Sequence, residues 1–145
     1  MVTSLASSWI FWALLSAVFA ALTAIFAKVG IENINSDFAT FIRTAIILVV
    51  TALLVTGRQQ WQPLSSVSSR TYLFLLLSGL ATGLSWICYF RALQMGNAAQ
   101  VAPVDKLSVV LVAVFSVLFL REQLSMLNWL GIILITAGVI LIATR

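Results

Sequence analysis

This chain of 145 residues carries four carboxylates, eight Lys and Arg side chains and no histidine. Any proton or ion chemistry therefore falls to Glu32, Asp37, Asp105 and Glu122 and the bases that face them. Asp105, Lys106 and Arg43 stand inside long apolar runs, where a charge costs roughly 2.5–3.5 kcal/mol on insertion scales and needs a partner or a purpose. Counted from Asn97 at ~1.5 Å per residue, Asp105 and Lys106 lie about 12–14 Å into their run. As adjacent helical residues they point about 100° apart, which predicts no close pair between them and a different partner for each. Arg43 lies about 9 Å beyond Asp37 at the same face of the membrane as Arg91, so Asp105 is placed to meet either arginine. Such a charged site, open to one face, would hold a proton or cationic group at Asp105 and an anionic group at Lys106 or Arg43. The competing reading is an internal salt-bridge network that orders helices, with Lys28 and Arg91 snorkelling to the interface.

Trp86, Tyr89 and Phe90 recur at helical spacing and share one face. That stripe suits an organic cation or an aromatic solute, or equally lipid and packing. Trp9, Trp12 and Trp129 sit at run ends and read as interfacial anchors. Gly79 with Gly83, and Gly131 with Gly138, put small residues on one helix face where another helix can approach, within the chain or from a second one. Glu32 and Asp37 read as loop and cap residues, Glu122 beside Arg121 as a helix-end group, and the lone Cys88 as a small packing residue. Metal-ligand spacing, a glycine-rich phosphate loop and a Ser/His/Asp set are all missing from the sequence, so no enzyme, metal or cofactor is expected.

The elements that must position these residues follow from composition. The chain is 62% hydrophobic and 8% charged, with mean hydropathy +1.13, against roughly 25% charged residues in a soluble domain. Five apolar runs, about 9–29, 37–55, 71–95, 97–120 and 126–143, approach the ~20 residues that cross a bilayer core. They lack the alternation of barrel strands, so all five are expected to be helices in one all-α membrane domain over 1–145. Asn97 with Gln100 fits a capping box that starts the fourth helix, and Pro103 in its second turn predicts a kink. The first run has no basic region before it and exceeds a signal-peptide core, so it is expected to be retained.

The net charge of +4 is scattered singly through apolar sequence, which excludes a nucleic-acid face and leaves the lipid bilayer as the surroundings. Arg58, Arg70 and Arg121 fall on one side; Lys28 and Arg145 fall on the other, joined under a wider count by Arg43, Arg91 and Lys106. The orientation signal reverses with the counting rule, which admits insertion in both directions. Two oppositely inserted copies would then form an inverted repeat.

The stretch YFRALQMGNAAQVAPVDKLS (89–108), followed by LFLREQLS (118–125), GIILITAGVILIA (131–143) and FIRTAIIL (41–48), resembles the EamA domain of the drug/metabolite transporter superfamily. The resemblance implies one half of a ten-helix inverted-repeat transporter, as in the small five-helix bacterial and archaeal branch, and hence an inner-membrane homodimer or a paired five-helix subunit. GIILITAGV (131–139) also looks like the dimerisation motif in the last helix of the related small multidrug resistance proteins. Those four-helix relatives use a glutamate in their first helix, which has no counterpart here, leaving Asp105 as the available coupling carboxylate. The expectation is a secondary transporter of a small metabolite or amphipathic compound, working as an antiparallel homodimer by alternating access. Asp105, Lys106, Arg43, Trp86 and Tyr89 are its expected solute contacts. The rival expectation is a non-transporting membrane subunit that assembles with a partner.

Overall fold

A computed structural model describes residues 8–144, so Arg145 of the orientation count lies outside the described residues. Five helical stretches are long and apolar enough to cross a membrane. These are α1 (Trp9–Gly30), α2 (Ser36–Gly57), α3 (Ser69–Met95), a fourth span made of α4 (Ala98–Asp105) and α5 (Leu107–Phe119), and α6 (Met126–Ala143). No strand occurs among the described residues. The helical choice follows from the solvent: in hydrocarbon each backbone N–H needs a partner, and a helix supplies it from its own segment. Threonines inside the spans meet the same demand, since Thr40, Thr44, Thr51, Thr56, Thr82 and Thr136 each donate the hydroxyl to the carbonyl one turn back at 2.8–2.9 Å.

The chain divides into two compact units, Ala27–Gln94 and the remainder, Phe26 and earlier residues together with Met95 onward. Within Ala27–Gln94, α2 begins at Asn35, whose side-chain oxygen accepts from the Asp37 and Phe38 amides at 2.9 and 3.1 Å. Asn35, Ser36 and Asp37 are all competent caps, and Asn35 has the extended ψ of 132° that the position needs. α2 ends in a paired closure: the Gln60 amide reaches the Val55 carbonyl and the Gln59 amide the Thr56 carbonyl, both at 3.0 Å. Gln59 takes the left-handed position at φ 54°, a place that usually goes to glycine. A short 3₁₀ turn, Leu64–Ser66, is tied to α3 by the Tyr72 hydroxyl donating to the Leu64 carbonyl at 2.9 Å. Burial is confined to one end of this unit, at Ile31, Ser36, Thr40, Phe90 and Leu93. Leu73, Phe74, Leu75, Leu76 and Leu77 are all exposed, so every face of that stretch of α3 is left to lipid or to another chain.

In the other unit, α6 packs along both α4 and α5. Ser125 caps α6, its hydroxyl accepting from the Asn128 amide at 3.2 Å. Asn97 precedes α4 but makes no side-chain cap bond; its carbonyl instead accepts from Gln100 and Val101 at 3.0 and 2.9 Å. The capping box expected there is therefore absent, because the backbone turn already satisfies those amides.

The fourth span is interrupted at one residue, Lys106, three positions after the proline. Pro103 offers no N–H to the carbonyl one turn back. Lys106, at the end of α4, adopts φ −71° and ψ −4° and turns its amide to the Pro103 carbonyl at 3.0 Å. α5 starts at the next residue, and the Val109 amide reaches the Lys106 carbonyl at 3.0 Å.

Candidate functional site

Two groups of charges stand out, one in each unit, while Arg58, Arg70, Arg121 and Glu122 lie apart from both at span ends and in turns. In Ala27–Gln94, Arg43 lies about 10 Å along α2 from Ser36. Its guanidinium carbon sits 4.5 Å from the Trp86 ring centroid and 5.3 Å from that of Phe90. Trp86 and Phe90 are one helical turn apart on α3, so a single face supplies both rings. Tyr89 stands edge-on to Phe90 at 6.4 Å between centroids. Aromatic faces thus take the place of a carboxylate beside Arg43, which forms no salt bridge among the described residues.

Below this cradle the helix ends are fastened by polar bonds. The Lys28 ammonium donates to the Leu93 carbonyl at 2.6 Å. The Gln94 amide donates to the carbonyls of Ile31 and Ile34 at 3.2 and 2.8 Å. Arg91 pairs with Asp37 at 2.8 Å, both side chains well exposed. Lys28, Ile31, Glu32 and Gln94 line an open recess of about 230 Å³. Asp37 is therefore an ion-pair partner while Asn35 does the capping, and Arg91 is held by a carboxylate instead of only snorkelling. Periodicity marks the Trp86 face but gives no signal for Gln94, an ordinary polar residue in the last turn of α3.

The second place is the break in the fourth span. Lys106 and Asp105 form a pair at 3.2 Å, against the expectation that neighbours on a helix point apart. The angle is spanned by the reach of the lysine side chain, which folds back to the carboxylate of the preceding residue. Asp105 is the more sheltered partner, 34% exposed against 55% for Lys106.

Among the described residues, and leaving aside its own chain neighbours and helix backbone, a Cβ at Gly79, Gly83, Gly131 or Gly138 would meet no atom within 4 Å. Cys88 is likewise exposed rather than packed.

Known proteins share this arrangement of spans at the level of sequence. The family model described as the EamA-like transporter family matches residues 7–144. An "uncharacterized transporter in cobO 3'region" of Sinorhizobium sp is 63% identical over 139 residues, covering 96% of this chain and 99% of the relative. An uncharacterized transporter of Bacillus subtilis is 24% identical over 99% of this chain, which spans only 45% of that protein. An uncharacterized protein of Methanocaldococcus jannaschii is 25% identical over 90% of this chain and 92% of its own length. No solved structure matches the chain.

Proposed function

Because the chain belongs to the EamA-like transporter family, and is an integral multi-pass membrane transporter and not an enzyme, we propose that it is a secondary transporter working as an antiparallel homodimer. Two five-helix copies would enclose a solute path that opens to each face in turn. The observation that carries this reading is Arg43, a charge kept inside a span on aromatic faces, since intramembrane charges mark solute and ion pathways. Trp86 and Tyr89 would line that path, with Asp105 and Lys106 at the helix break as the second contact point. Broken spans are a recurring place for such sites.

The dimer is supported by length and by surface. The Bacillus relative has room for two domains of this size, whereas the Sinorhizobium relative has room for one. Gly79, Gly83, Gly131 and Gly138 offer faces on which a second backbone can pack.

Orientation tests the arrangement. With Cys88→Ser in place, Gln60→Cys and Asn97→Cys are each treated with an impermeant thiol reagent on intact cells. Labelling of about half the molecules at each position is expected; full labelling at one and none at the other overturns the antiparallel dimer. Asp105→Asn separates transport from scaffolding: lost solute movement with the dimer intact is expected, and lost assembly would favour a non-transporting subunit.

A further inference from the structure

We propose that the Arg43 cradle binds the carboxylate of a small organic acid, so that the transported solute is a monovalent organic anion; this rests on the transporter reading above. The chain has eight basic residues and four acidic ones, and the described acids are unevenly used. Asp37 is taken by Arg91 and Asp105 by Lys106, while Glu32 and Glu122 are exposed outside the helices. Among the described residues Arg43 has no carboxylate partner and lies over the faces of Trp86 and Phe90, with Tyr89 as an electrostatic neighbour. A ring meets a guanidinium through its charge and takes none of its five N–H groups as a hydrogen-bonded acceptor would, which leaves the fork that meets a carboxylate with two parallel bonds. The nearby cations of the same unit are engaged elsewhere, Lys28 on the Leu93 carbonyl and Arg91 on Asp37. One guanidinium matches one negative charge, so a monovalent oxyanion neutralises Arg43 where a dianion carries an excess charge into the span. A lipid phosphodiester is the other monovalent oxyanion within reach.

The test is equilibrium binding to the purified full chain in maltoside micelles, read by calorimetry, with acetate, benzoate and indole-3-acetate as anions. Benzamide and benzylammonium serve as neutral and cationic counterparts. At least one anion is expected to bind saturably and at least tenfold more tightly than either counterpart. Arg43→Gln should weaken it tenfold or more, Arg43→Lys by less, and Arg91→Gln by under twofold, each variant eluting as a folded species on gel filtration. No saturable anion binding, a preference for benzylammonium, or unchanged binding in Arg43→Gln overturns the proposal. So does loss of co-purified phospholipid in Arg43→Gln with anion binding unchanged, which would assign Arg43 to a lipid phosphate. Anion binding without solute movement would instead defeat the transporter reading and leave the site standing.

Discussion

Replacing Pro103 with alanine should mend the fourth span, and the size of the effect follows from the bonds at the break. Alanine restores an N–H for the carbonyl of Ala99, and it lets the Lys106 amide return from the Pro103 carbonyl to that of Ala102. The Lys106 amide only exchanges one carbonyl for another, so the net gain in bonds is the one to Ala99, about 0.5–1.5 kcal/mol, and relief of the proline ring's clash raises the total toward the ~3 kcal/mol that separates proline from alanine in a helix interior. Titration of the purified protein with SDS in mixed micelles, followed by circular dichroism, should show Pro103→Ala more stable by that amount. A neutral or destabilised Pro103→Ala would refute the claim that proline causes the break.

Two further substitutions probe the ends of α2. Asn35→Ala removes the oxygen that accepts from Asp37 and Phe38 and should cost about 1 kcal/mol in the same titration. Gln59→Gly relieves a side chain held at φ 54° and should stabilise by about 0.5–1 kcal/mol, whereas Gln59→Val should destabilise.

The spans are legible in the sequence because their apolar runs are long enough to cross a bilayer and no other backbone arrangement is satisfied there. The weak point of the fourth span is legible at Pro103 for an equally local reason. Partner choice is not. Asp37 meets Arg91 from far along the chain, and a sequence with few scattered charges allows several pairings of the same sign. The Asp105–Lys106 pair escapes sequence reasoning because helical spacing gives the angle between two positions and not the reach of a long side chain across it. Arg43 stands out by its depth, but periodicity names a face and cannot say that aromatic rings rather than a carboxylate receive the charge.

At one end of Ala27–Gln94, Lys28, Gln94 and Arg91 join the last turn of α1, the 31–35 loop and the start of α2 to the last turns of α3. Toward the other end, 49–51 of α2 and 73–77 of α3 bury no side chain within the chain. The unit is therefore built like a pair of tongs riveted at one end, and at the other the spread of α2 from α3 is limited by the 58–68 connection, which Trp61 holds to Thr56 and Tyr72 holds at Leu64.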